Sequence, residues 1–170
     1  MELPVQLDTY NRPEQQARVA WLKEHAVGTI LDVGCSWGYV LSAVSGQAGV
    51  DINPHLVRLA SLLSPHRLFA QADARNLPFK DGEFDTVIVA ETLEHLPWSI
   101  GVAKAVSEAQ RVARKRVLVT VPAHDGREAE SFKHCWLVGP DETALLRTML
   151  GPDVSVVEFS GFVCFEARLG

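Results

Sequence analysis

The sequence predicts an α/β fold, a parallel sheet wound on both faces by helices and finished by a C-terminal antiparallel hairpin. Three observations carry this. Short apolar runs alternate with segments of helical period, several runs end on Gly or Asp, and the final stretch, DVSVVEFSGFVCFEARL, reads as two strands about a Ser-Gly turn.

The first element is a helix within NRPEQQARVAWLKEHAVG. Asn11 offers a cap, Pro13 stands in the first turn, Val19, Leu22 and Ala26 recur at helical spacing, and Gly28 stops it. TILDVG then reads as a strand, and WGYVLSAVSG as a helix closed by Gly46. The unit repeats: AGVDI is a strand ending at Asp51, and NPHLVRLASLL is a helix entered through Asn-Pro. RLFAQAD is a third strand ending at Asp73, and FDTVIVAE, with its β-branched run, is a fourth. From Ser99 the positions Val102, Val106, Ala109 and Ala113 predict a helix whose end carries Arg114, Lys115 and Arg116 as a solvated basic terminus. That helix feeds the strand RVLVTVP, and GPDETALLRTML is a last helix opened by Pro140 and closed by Gly151.

Composition limits the function. The 170 residues suit a single domain spanning 1–170, and 47% hydrophobic with 22% charged residues excludes disorder and fibrous classes. No apolar run reaches the roughly 20 residues of a membrane span, so no membrane partner is expected. A net charge of −5 argues against nucleic acid as a partner. The N-terminus lacks the pattern of a secretory signal, and three cysteines with no CxxC pair fit a reducing, cytoplasmic setting.

In such sheets ligands bind beyond the carboxyl ends of the strands, where Asp32, Gly34, Asp51, Asp73 and Glu91 all fall. LDVGCSWGY holds Gly34 and Gly38 in a strand-to-helix turn. A dinucleotide GxGxxG pattern would need glycine where Ser36 and Leu41 stand, so a nicotinamide oxidoreductase is disfavoured. Asp51 can take both hydroxyls of a ribose or cap the Asn53-Pro54 helix. Asp73 can cap a turn or accept from an exocyclic amine.

LDVGCSWGY, GVDINPHLV, QADARNLPF and FDTVIVAETLEHLP together resemble the successive motifs of class I S-adenosylmethionine (SAM)-dependent methyltransferases, over residues 28 to 121. The resemblance implies a Rossmann-like, seven-stranded, mostly parallel sheet of order 3-2-1-4-5-7-6, with SAM across the first, second and fourth strand ends. It implies Asp32, Gly34 and the Cys35 backbone near the methionine part, with Gly38 in the same motif. Asp51 falls on the ribose, Ile52 against the adenine face, Asp73 and Ala74 by the adenine amine, and Ala90 and Glu91 beside the methionyl amine and sulfonium. Ser36, where many members have glycine, is a departure that bears on cofactor affinity.

For such a donor the protein need only align donor and acceptor and exclude water. If the acceptor loses a proton, His95, His124 and His134 have a suitable intrinsic pKa, with His124 and His134 the catalytic candidates. The spacing of His124, Asp125, His134 and Cys135 matches no metal motif, so no metal is expected. Trp37, Trp98 and Trp136 either edge the core or stack on a ligand. The expected function is methyl transfer to a small-molecule acceptor, with residues 122–138 as a lid bearing His134 or Trp136. Tyr10 and Arg12 are the alternative recognition surface, and a homodimer or partner subunit is expected to complete an open site. A non-catalytic SAM-binding subunit is the other reading.

Overall fold

The structure is a computed structural model that describes residues 11–98, 100–123, 135–136, 138–159 and 161–170. Seven strands form one sheet: β1 (Ile30–Val33), β2 (Ala48–Asp51), β3 (Leu68–Gln71), β4 (Phe84–Ala90), β5 (Ala113–Pro122), β6 (Val154–Phe159) and β7 (Phe162–Arg168). Their order is β3-β2-β1-β4-β5-β7-β6. The first five run parallel, and β7 is antiparallel to both its neighbours, β5 and β6. The α/β class, the strand order and the antiparallel hairpin therefore stand as the sequence predicts them.

Among the described residues five helices cover the sheet: α1 (Pro13–His25), α2 (Tyr39–Ala43), α3 (Pro54–Leu63), α4 (Ile100–Val112) and α5 (Pro140–Leu150), with a 3-10 turn at Leu93–His95. The period-two alternation of the strands sorts two cores. Leu31, Val33, Val87, Val89, Val117 and Val119 face Val102, Val106 and Ala109 of α4 and Leu146 of α5. Ile30, Ile88, Ala90 and Leu118 face Val19 and Leu22 of α1 and Val40 of α2. Asp32 shares the parity of Ile30, so a carboxylate stands on the α1 face of the central strand, where burial of an unpaired charge is costly.

Helix ends agree with the expectations at α3, where the Asn53 side chain accepts from the His55 amide at 3.0 Å, and at α5, where Glu142 accepts from the Gly139 amide at 3.0 Å. At α1 the cap position is Arg12, without a side-chain cap, rather than Asn11. Helix α2 is only five residues long, ending before the closing Gly46, and the left-handed residue in between is Ser45 (φ +57°). Gly46 is needed instead for space, because a Cβ there would lie 2.3 Å from Leu41 Cδ1.

The largest departure concerns Arg114, Lys115 and Arg116, which lie in β5 and not at a helix end. Long-range partners hold them there: Lys115 Nζ lies 3.1 Å from Asp85 Oδ1, and Arg116 Nη1 lies 2.8 Å from the buried Glu166. A window that reads only local spacing sees a cationic helix terminus, whereas Asp85 and Glu166 lie far off in the chain. Of the 122–138 stretch, Ala123 bridges Val138, while residues 124–134, with His124 and His134, lie outside the described residues, as does Tyr10.

Candidate functional site

The carboxyl ends of β1, β2 and β4 and the inner face of α1 enclose a cavity of about 510 Å³, within the ~300–1,000 Å³ usual for small-molecule sites. Of the residues expected from the sequence, Asp32, Gly34, Cys35, Asp51, Ile52, Asp73, Ala74, Ala90 and Glu91 all line it. Gly38 does not. It enters α2 at φ +87°, where a Cβ would lie 3.1 Å from the Phe69 ring, a backbone role beside the cavity.

The turn after β1 is shaped by close packing. Gly34 has φ +78°, and a Cβ there would lie 2.1 Å from Thr92 Oγ1, which itself sits 3.1 Å from the carbonyls of Val33 and Ala90. Both side-chain size and backbone conformation therefore demand glycine. The amides of Gly34 and Cys35 donate to the Val50 carbonyl at 2.8 and 2.9 Å, so this turn has no pair of free N–H groups to cradle a phosphate. Ser36 takes φ +50°, the left-handed conformation that explains why glycine suits this position. Its amide donates to Asp51 Oδ2 at 2.8 Å, and the Asn53 amide donates to Asp51 Oδ1 at 2.8 Å. Two backbone bonds thus aim the Asp51 carboxylate while leaving each oxygen a lone pair for a ligand.

Asp32 is 2% exposed, and its Oδ2 has no hydrogen-bond partner. Burial pushes its pKa up to about 7, against the opposing pull of the Arg18 charge and the Leu41 amide. Around the rim, Ile52 is an apolar side chain 62% exposed, and Asp73 is gripped by Arg75, whose Nε reaches both carboxylate oxygens. The arginine hydrogen bonds hold the Asp73 pKa below the ordinary value.

Several lining residues receive no binding role from the sequence. Arg18, 1% exposed, lies on the apolar face of α1; its Nε donates to Gln15 Oε1 at 3.0 Å, Nη1 donates to Thr120 Oγ1 at 3.3 Å, and Nη2 pairs with Glu91. The available signal is that Gln15 and Arg18 share the 3.6-residue stripe of Val19 and Leu22, placing polar groups where core is expected. Glu94, Thr92 and His95 also line the cavity, from the segment after β4. Trp98 and Trp136 do not; they meet edge to face at 4.3 Å, and the Trp136 indole N–H donates to the Leu96 carbonyl at 3.0 Å. Trp136 packs in the core beneath the site.

The cavity lining holds five carboxylates, Asp32, Asp51, Asp73, Glu91 and Glu94, against two arginines, both engaged by carboxylates. That balance repels phosphates and suits a ligand rich in hydroxyl and N–H donors or carrying positive charge. Among the described residues no group of His, Cys, Asp and Glu is arranged to hold a metal ion, and no helix is long and apolar enough to cross a membrane.

Comparison with known proteins agrees with this geometry. The chain is 30% identical over 133 residues to norajmaline N-methyltransferase of Rauvolfia serpentina, covering 69% of this chain and 42% of the relative. It is 39% identical over 77 residues to 2-methyl-6-phytyl-1,4-hydroquinone methyltransferase of Synechocystis, covering 41% of this chain and 24% of the relative. The matches thus span less than half the length of these curated relatives. Among solved structures, a SAM-dependent methyltransferase from Aquifex aeolicus matches all of both chains at TM-score 0.74 and 20% identity. The Bradyrhizobium japonicum N-methyltransferase NodS matches at TM-score 0.72 and 18% identity, over 97% of this chain and 91% of that one. Both show the same fold. A family model described as "Methyltransferase domain" matches residues 31–121, more than half of the chain and nearly all of the stretch from β1 to β5 that carries the cavity's strand ends, and the chain belongs to that methyltransferase family.

Proposed function

We propose that the chain is a SAM-dependent methyltransferase whose acceptor is a small molecule. The observation that carries the reading is Asp32: a buried carboxylate with an unpartnered oxygen, on the floor of a cavity whose rim presents Asp51. The donor set fits SAM on chemistry that the cavity displays. Asp51, fixed by the Ser36 and Asn53 amides, takes the ribose hydroxyls. Ile52 offers an exposed apolar surface to the adenine, and Asp73 and Ala74 lie where the adenine amine would be met. Asp32 holds the methionyl ammonium, with the Gly34–Cys35 turn supplying carbonyls and room. Ala90 and Glu91 border the methionyl and sulfonium part. Gly38 acts through the backbone of the α2 entry.

SAM supplies an activated methyl group, so the chain's own work is alignment and exclusion of water. Arg18 fixes Glu91 and thereby the wall opposite Asp51, and the β1–α2 turn fixes the depth at which a ligand can enter. The relatives' printed names, a norajmaline N-methyltransferase and a 2-methyl-6-phytyl-1,4-hydroquinone methyltransferase, favour a small-molecule acceptor. His124 and His134 remain candidates for a proton acceptor. A single domain over 1–170 and a second subunit closing the open side are parts of the same proposal. The test is calorimetric titration with SAM and S-adenosylhomocysteine (SAH), followed by incubation of labelled SAM with fractionated metabolites. Binding lost in Asp51→Ala and methyl transfer to one small-molecule fraction are expected; no binding by the folded wild-type chain would overturn the reading.

A further inference from the structure

We propose that Glu94 is the residue by which this cavity tells a positively charged methyl donor from its neutral product. The inference rests on the methyl-donor reading and goes beyond it, assigning charge discrimination to a side chain of the FDTVIVAETLEHLP stretch to which the resemblance gives no role.

Glu94 is 1% exposed and lines the cavity, yet neither carboxyl oxygen has a hydrogen-bond partner. Such a group is expensive unless a ligand completes it. Its backbone is fixed: the Cys135 amide donates to the Glu94 carbonyl at 2.7 Å, and the 3-10 turn closes with the Leu96 amide on the Leu93 carbonyl at 2.9 Å. Among the described residues, the charged and titratable groups around it are Glu91 in its own loop, Arg18 from α1, Asp32 from β1 and the neighbouring His95. Arg18 is the one nearby fixed cation among them, and its hydrogen bonds go to Gln15, Thr120 and Glu91, not to Glu94. Among the described residues the carboxyl therefore lacks a cationic partner while sharing the cavity with Glu91.

Burial, then the adjacent Glu91 charge, holds the Glu94 pKa well above the ordinary carboxylate range. That shift favours the protonated form of the group in the absence of a cationic ligand. A ligand with a fixed positive charge stabilises the carboxylate and expels that proton; a neutral ligand leaves it in place. SAM and SAH differ only by the methyl group and its charge, so Asp51, Asp32 and Ile52 contribute equally to both; of the two carboxyls set near the sulfonium, Glu91 is already paired with Arg18 and Gln15, which leaves Glu94 as the group whose partner the charge supplies. Once the methyl has left, the charge that favoured the carboxylate is gone, Glu94 takes up a proton again, and the product's hold on the chamber weakens.

The test is calorimetry on the whole chain at pH 7.5 with SAM, SAH and sinefungin, which bears an ammonium in place of the sulfonium methyl, in two buffers of different ionisation enthalpy. Wild-type protein should release up to about one more proton with SAM or sinefungin than with SAH. Glu94→Gln, which keeps the shape, should abolish this excess and lower the SAM-to-SAH affinity ratio about tenfold, with SAH affinity changed less than about twofold. Equal proton release by the three ligands in the wild type overturns the proposal without any variant. An unchanged ratio in folded Glu94→Gln, or an equal loss for all three ligands, overturns it too while leaving the methyl-donor reading intact. Failure of the wild type to bind any of them overturns both.

Discussion

Arg18 Nη2 lies 3.0 Å from Glu91 Oε2, joining the buried face of α1 to the end of β4. Glu91 holds φ +50°, an uncommon conformation for a non-glycine residue that persists only where surroundings over-determine it. Arg18, Gln15 and the Glu91 amide bond to the Thr120 carbonyl at 2.8 Å supply that constraint. The guanidinium also stands 5.3 Å over the Phe162 ring, so one side chain ties α1, β4, β5 and β7.

Arg18→Ala should therefore lower global stability by about 3–5 kcal/mol, the usual result of removing one partner of a buried ion pair. Urea denaturation measures it. Arg18→Lys should recover little, because a single ammonium cannot serve Gln15, Thr120 and Glu91 together. A loss below about 1 kcal/mol would show that water replaces the network.

Asp51→Ala should weaken SAH binding by about 2–4 kcal/mol, since hydrogen bonds to a charged acceptor are worth roughly 1.5–3 kcal/mol each. Asp51→Asn should lie between it and the wild type, keeping one carbonyl oxygen. Calorimetry on both variants, with circular dichroism to confirm folding, decides this. Unchanged affinity in Asp51→Ala would remove the residue from the site.

Gly34→Ala should destabilise by about 1–3 kcal/mol through left-handed strain and collision with Thr92. Thr92→Ala removes the collision but not the strain. The double variant should therefore regain part of the loss, a coupling readable from a thermodynamic cycle. Strict additivity of the two changes would mean that Thr92 is not what excludes a side chain. Gly34→Val, larger still, should also abolish cofactor binding.

Asp32 sets a pH dependence of defined sign. Its pKa rises from 3.8 to about 7 on folding, so the native state binds the extra proton between those values. Stability of the ligand-free chain should fall as pH rises from about 4 to 7, by on the order of 3–4 kcal/mol from this group. Asp32→Asn should flatten that slope. SAH affinity should move the opposite way, rising toward pH 7 as the carboxylate becomes available to the ammonium. Parallel denaturation and binding titrations across this range test both signs.

The sequence made the strands and their polar ends legible because each depends on local pattern: a β-branched run at 84–90, Asp at strand ends, Asn-Pro before α3. It did not expose Arg18 or Glu94. Their roles come from burial and from partners in other elements, and a lone arginine in an amphipathic helix or a glutamate before His95 looks the same when solvated. Arg114–Arg116 failed for a related reason, since Asp85 and Glu166 decide their conformation from a distance. Gly46 shows the finer limit: the turn was visible, but the left-handed backbone falls on Ser45, and glycine follows it because Leu41 leaves no room for a Cβ.

The position of β7 between β5 and β6 has a consequence for synthesis. During vectorial emergence from a ribosome, β5 appears with its outer edge bare, and the next strand to emerge, β6, is not the one that belongs there. Only when Phe162–Arg168 follows can Val117 meet Ala167 and Thr120 meet Cys164. Until then a strand of ten residues offers unpaired N–H and C=O groups to any neighbour. Chains cut short before Phe162 are left with this sticky border, so quality control in the cell would meet them as aggregating species while the nucleoside-facing half of the sheet is already complete.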